Sequence, residues 1–304
     1  MQSFLRFLKT YTLPIAMLLG IIGYQYFRLL APVTHYLIVL MLYFTFCKVD
    51  IKDMRWQPWH GWLLLLQLTL SIGLFYILRP LDTVLAQGIM ICILMPTATA
   101  AAVVTGKLGG NVAALTTYTL LSNLVVAILV PVFFPIVEPG NHISFLEGFL
   151  TILSRVFPLL IGPFLLAWFT RFVYHKLKHR QLVLPKALSA APFYVWAFSL
   201  VILMADTTYS LLNDDYDRHA ALWLIIGSLI TCLLQFFLGK AIGKHYHMRI
   251  SAGQALGQKN TILGIWMAHT YLQPVAALGA AGYIVWQNLF NSYQLWKQRK
   301  KDRL

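Results

Sequence analysis

The stretch Arg249 to Tyr271, RISAGQALGQKNTILGIWMAHTY, decides how the rest of the chain is read. It is long and apolar enough to cross a bilayer, yet its middle is Gly257-Gln258-Lys259-Asn260-Thr261. A lysine at mid-membrane depth costs roughly 2.5–3.5 kcal/mol even on lenient insertion scales. Successive polar side chains beside a glycine argue against an unbroken, lipid-facing helix. Irregular backbone at that depth is tolerated only where it faces protein or a water-filled cavity. The stretch reads as a discontinuous helix at a binding site.

The surrounding chain has the composition of a membrane protein. Of 304 residues 59% are hydrophobic and 11% charged, and at about 20 residues per span this length holds about ten transmembrane helices. Apolar segments run roughly over 9–28, 31–48, 58–79, 83–106, 111–136, 149–174, 187–208, 220–241, 251–272 and 275–296. The amino end, with Arg6 and Lys9 before an apolar run, resembles a signal peptide but lacks a small-x-small cleavage pattern; it reads as the first span. Cys47, Cys92 and Cys232 lie far apart in apolar runs, as buried small residues rather than metal ligands.

The net charge of +14 is distributed by topology. Alternate gaps and both ends carry 19 basic residues, the opposite gaps only Arg28, Arg79 and Arg218, with Arg155 and Lys259 inside spans. The positive-inside rule then places both termini in the cytoplasm, and the charge excess needs no nucleic-acid partner. Internal symmetry follows. Leu13-Pro14 with Gly20 in span one is matched by Phe157-Pro158 with Gly162 in span six. Span four is interrupted at Pro96-Thr97-Ala98-Thr99 and span nine at 257–261. Two interrupted helices in matching places of two five-helix halves point to an inverted-repeat transporter, all α-helical with ten spans in a 5+5 arrangement. The plain alternative is a proline kink in span four and an unrelated, tolerated lysine in span nine.

Candidate ligands lie near the two interruptions. Pro96 removes a backbone hydrogen bond and frees a carbonyl, and the small residues after Thr97 and Thr99 let another helix approach. Freed backbone groups at helix ends are candidate ligands. Thr116, Thr119 and Asn123 form one polar stripe on span five, readable as packing or as a lined cavity. Gln67 stands alone among leucines and needs a partner. All ten carboxylates, Asp50, Asp53, Asp82, Glu138, Glu147, Asp206, Asp214, Asp215, Asp217 and Asp302, avoid helix centres. With Lys259, Arg155, His269 and His35 as the ionisable groups left inside, the interior is electropositive and suits an anionic substrate. No clustered aspartates, catalytic triad, phosphate loop or metal-ligand spacing appears, so an enzyme is not expected.

With ten spans, interruptions at four and nine, and Pro96-Thr-Ala-Thr-Ala leading into Gly109-Gly110-Asn111, the chain resembles the bile acid:sodium symporter family. Gly257-Gln258-Lys259-Asn260-Thr261-Ile262-Leu263-Gly264 is similar to the family's G-x-Q-N-S-x-L-G signature. The resemblance implies a divergent bacterial-type member, a multi-pass protein of the inner (plasma) membrane. It implies panel spans one and two in 1–56, core spans three to five in 57–137, panel spans six and seven in 138–216, and core spans eight to ten with a basic tail in 217–304. Helices four and nine would cross in the core, and a small organic anion would be carried by alternating access. The departures fall on the sodium ligands. The family's span-nine glutamate falls on Ala255, its glutamine on Lys259, its span-four Ser-Asn pair on Ala101-Ala102, and one span-five hydroxyl on Leu115, leaving Thr119. A one-residue insertion would put Gln254 and Gln258 on the glutamate and glutamine positions instead.

The expectation is a secondary transporter without the family's sodium coupling and without a cofactor. Lys259 would be a tethered cation, with Gln67, Thr119, Gln258, Asn260 and Thr261 around it. A proton exchanged at Lys259 is an alternative coupling ion. Two other readings stay open: a sodium symporter using backbone carbonyls with Gln254, Gln258 and Asn260, and a non-transporting membrane sensor or scaffold.

Overall fold

The computed structural model describes residues 12–47, 54–98, 100–138, 145–178, 185–213 and 218–301. Among them the chain is helical, without a strand: α1 Thr12–Ile22, α2 Tyr24–Phe27, α3 Thr34–Phe46, α4 Pro58–Leu78, α5 Thr83–Leu94, α6 Ala100–Lys107, α7 Val112–Val137, α8 Phe145–Lys178, α9 Lys186–Asn213, α10 Arg218–His245, α11 Arg249–Gly257, α12 Thr261–Tyr271 and α13 Ala277–Lys301. Five stretches, Tyr24–Phe44, Pro58–Leu78, Val112–Val137, Phe145–Leu177 and Arg218–His245, are long and apolar enough to cross a membrane. The helices flanking the two interruptions are each too short to cross alone.

Helix starts follow from local chemistry. Pro58 opens α4, where its missing N–H costs nothing. Side chains cap three others: Asp82 accepts from the Leu85 N–H at 2.8 Å, Asn111 from Ala114 at 2.9 Å, and Asn260 from Leu263 at 3.3 Å. Gly109 turns the chain between α6 and α7 at φ 79°, which favours glycine. Beside it, a Cβ on Gly110 would press on Thr105, Ile250 and Ser251. The expected break between the first two apolar segments is instead helical. A 3₁₀ turn, Arg28–Val33, joins α2 to α3, because Pro32 keeps helical φ while interrupting the α-type bonds.

The chain divides into two compact units. The first comprises the described residues of Met1–Lys48 and Leu166–Tyr216. In it α9 packs along α1, α2 and α3. Gly20 lies against the Val201 carbonyl and Met204, and the Arg28 guanidinium sits 3.4 Å from the Tyr209 ring centroid. Arg171 Nη1 donates to the Cys47 carbonyl at 3.1 Å.

The second unit comprises the described residues of Val49–Leu165 and Asp217–Leu304, so the division passes through α8. Its centre is the pairing of α10 with α11. A Cβ on Gly239 or Gly243 would strike Ala252 or the Met248 carbonyl, so these glycines allow the close approach. Both interrupted helices belong to this unit.

Candidate functional site

The two interruptions lie where the sequence places them, and they meet. The first falls between Leu94 and Ala100 and the second between Gly257 and Thr261. Thr97 and Lys259 form an antiparallel bridge. The Ala98 N–H donates to the Gln258 carbonyl at 2.9 Å and the Asn260 N–H to the Pro96 carbonyl at 2.8 Å. Two unwound segments thus satisfy one another with the ladder chemistry of a sheet.

The remaining backbone groups find side chains. Pro96 frees the carbonyl four residues back, that of Cys92, and Gln235 Nε2 takes it at 3.2 Å. Gln67 Nε2 donates to the Leu94 and Met95 carbonyls at 2.9 and 3.2 Å, while its Oε1 accepts from Tyr118 Oη at 3.0 Å. Thr97 donates its hydroxyl to the Ala255 carbonyl at 2.6 Å and its N–H to Ser122 Oγ at 3.3 Å. On the other segment Tyr283 Oη donates to the Gly257 carbonyl at 2.8 Å. Gln287 accepts from the Lys259 N–H at 2.9 Å and donates to its carbonyl at 3.3 Å. Backbone groups expected as free ligands are therefore already bonded to protein.

A glutamine–tyrosine pair occurs at each segment, with the hydrogen bond reversed: Tyr118 donates to Gln67 Oε1, while Gln235 Nε2 donates to Tyr283 Oη at 3.1 Å. Each tyrosine is followed one helical turn later by a side chain, Ser122 or Gln287, that receives the N–H of one of the bridged residues. The sequence reading singled out Gln67 but not Tyr118, Ser122, Gln235, Tyr283 or Gln287. A detectable signal was the run Tyr283, Gln287, Asn291 at four-residue spacing on one helix face.

Lys259 is completely buried, and among the described residues its Nζ has no hydrogen-bond partner. Among the described residues its titratable neighbour is Cys92 rather than a carboxylate. Unpartnered buried atoms surround it in sequence: both amide atoms of Gln258, Nδ2 of Asn260 and Oε1 of Gln254. Asn260 is the cap of α12, so one of its two polar ends is committed to structure. Thr261, at the first turn of α12, is buried. On α7 the expected stripe is satisfied locally. Thr116 and Thr119 donate to carbonyls of their own helix, and Asn123 Nδ2 to that of Thr119 at 2.7 Å, leaving only Asn123 Oδ1 unpartnered. Thr99 and the Arg155 side chain lie outside the described residues.

The four positions where the resemblance implies lost sodium ligands, Ala101, Ala102, Leu115 and Ala255, are apolar and gathered together. Ala101, Leu115 and Ala255 are fully buried members of one cluster with Trp59, Leu63, Ala114, Tyr118, Ala252 and Leu256, and Ala102 packs against it. His60 borders this cluster. Its Nδ1 accepts the Gln57 N–H at 3.1 Å, so Nε2 carries the proton shared with the Ala114 carbonyl at 3.1 Å.

A family model described as the sodium bile acid symporter family matches residues 35–213. The chain is also similar to a protein of Bacillus subtilis (strain 168) named "Uncharacterized sodium-dependent transporter YocS", 24% identical over 275 residues, covering 84% of this chain and 78% of that one. The chain, an integral multi-pass membrane protein, therefore belongs to the sodium bile acid symporter family.

Proposed function

We propose that this membrane transporter carries a small organic anion by alternating access, without sodium coupling of the family type. Lys259 supplies the positive charge at the meeting of the broken helices. The observation that carries this reading is Lys259 itself: completely buried, with an ammonium that no carboxylate or hydrogen-bond acceptor among the described residues meets. A buried cation without a partner is costly. An anionic substrate entering beside it would offset that cost and be recognised by it. Support also comes from Ala101, Leu115 and Ala255, whose side chains offer no oxygen to a sodium ion. A family of transporters, without a catalytic constellation in the sequence, leaves no enzymatic role in this reading.

The same reading takes the protein as ten spans in a 5+5 inverted repeat, with both termini cytoplasmic in a bacterial inner membrane. The matched pairs Gln67–Tyr118 and Gln235–Tyr283 favour the repeat, and the bacterial relative favours the location.

Proteoliposome uptake of a panel of radiolabelled carboxylates, with sodium or choline outside, tests this. Wild-type uptake is expected to be indifferent to sodium and lost in Lys259→Ala and Lys259→Glu. Uptake that rises steeply with sodium would remove the tethered charge from the account. A second reading is favoured by the relative's printed name, sodium-dependent transporter: one sodium ion held by backbone carbonyls and the amides of Gln254, Gln258 and Asn260. It predicts that sodium, but not potassium, raises the melting temperature in detergent.

A further inference from the structure

A polar seam leads away from Lys259 toward the basic end of the second unit. Gln254 and Gln258 lie one turn apart at the end of α11 and just beyond it, and Gln287, Asn291 and Gln294 follow one another along α13. Lys240 of α10 lays its aliphatic stem over Gly253, where a Cβ would strike it, and its Nζ lies 4.8 Å from the Phe290 ring centroid. Nζ donates to Gln294 Oε1.

That contact orients the amides behind it. An ammonium can only donate, so Gln294 presents its oxygen to Lys240 and its Nε2 to Asn291 Oδ1, at 3.3 Å. Gln254 Nε2 donates to the same oxygen at 2.9 Å. Left over are Asn291 Nδ2, Gln254 Oε1, both amide atoms of Gln258, Asn260 Nδ2 and Lys259 Nζ, all buried and without a protein partner among the described residues. Buried polar groups are rarely left unpaired, and an ordered water is the usual partner when protein is not. The mixture identifies the partner's chemistry. An anion would leave Gln254 Oε1 unmet, and a cation would be repelled by Lys240 and Lys259. Water donates and accepts.

We propose that the Gln254–Gln258–Asn291 seam is a hydrated path through which water reaches Lys259 from the end of the second unit that carries Lys240, Lys244, Arg249 and Lys297. This deepens the reading of Lys259 given above by naming its solvent access and the side that access comes from. Labelling tests it without substrate or sodium, so its failure and the failure of anion transport are separate results.

In full-length protein with Cys47, Cys92 and Cys232 replaced by alanine, Gln254→Cys, Asn291→Cys and Ser228→Cys are compared in sealed vesicles of each orientation. The probe is a small, membrane-impermeant charged methanethiosulfonate. Only a hydrated thiol ionises and reacts. The seam positions are therefore expected to label at least an order of magnitude faster than Ser228→Cys, from the cytoplasmic side alone. Labelling as slow as Ser228→Cys, or faster from the opposite side, overturns the proposal. Should the cysteine variants not fold, side-chain amide NMR of the wild-type protein gives the same answer. Gln254, Gln258 and Asn291 should exchange with water while Gln67, bonded to protein at both ends, does not; equal behaviour overturns it.

Discussion

At the residue scale the question is what a lysine gains by sitting where no described residue meets its charge. Lys259 has its backbone N–H and carbonyl held by Gln287, while its ammonium has no hydrogen-bond partner among the described residues. A buried charge without a partner is destabilising, and replacing it with an apolar side chain of similar length is expected to stabilise the fold by about 1–4 kcal/mol. Lys259→Met should accordingly melt at a higher temperature than the wild type while losing uptake, which thermal unfolding and a flux assay on the same preparation will show. A fall in both would make the lysine a structural element rather than a functional one. Stability given up for a charged site is a common trade.

At the scale of elements, the broken helices persist because each loose end has an assigned partner. Removing one partner leaves a buried group unmet at about 1–3 kcal/mol each. Gln67→Leu strands the Leu94 and Met95 carbonyls and the Tyr118 hydroxyl; Gln235→Leu strands the Cys92 carbonyl. Both variants are expected to lower the melting temperature, Gln67→Leu by more, because it orphans more groups. Packing sets a second limit at the same place. A Cβ on Gly264 would overlap the Met95 sulfur, and one on Gly257 the Phe236 ring. Gly264→Ala should cost about 1–3 kcal/mol by overpacking, read as a lowered denaturation midpoint.

At the scale of the whole molecule, one apolar cluster gathers Ala101, Leu115 and Ala255, the positions that the family resemblance pairs with sodium ligands. Ala255→Glu alone buries a carboxylate among Ala101, Leu115 and Leu256 and is expected to destabilise the protein by several kcal/mol. In an Ala101→Ser, Ala255→Glu, Lys259→Gln background, sodium should recover part of that loss, detected as a sodium-dependent rise in melting temperature. A second prediction at this scale concerns orientation. The 19-to-3 charge bias predicts that reporter fusions at residue 1 and residue 304 are both active only on the cytoplasmic side.

The helical, membrane-spanning class and the positions of both interruptions were legible in the chain alone. Hydropathy, proline and a mid-span lysine act locally, and local physics is written in consecutive residues. Gln67 was legible as a lone polar residue in need of a partner. That its partners are the carbonyls of Leu94 and Met95, that Gln287 clamps Lys259, and that Ala101, Leu115 and Ala255 share one cluster came only from the tertiary structure. Each joins residues on different helices, and side-chain reach across helices depends on packing angles that periodicity does not encode.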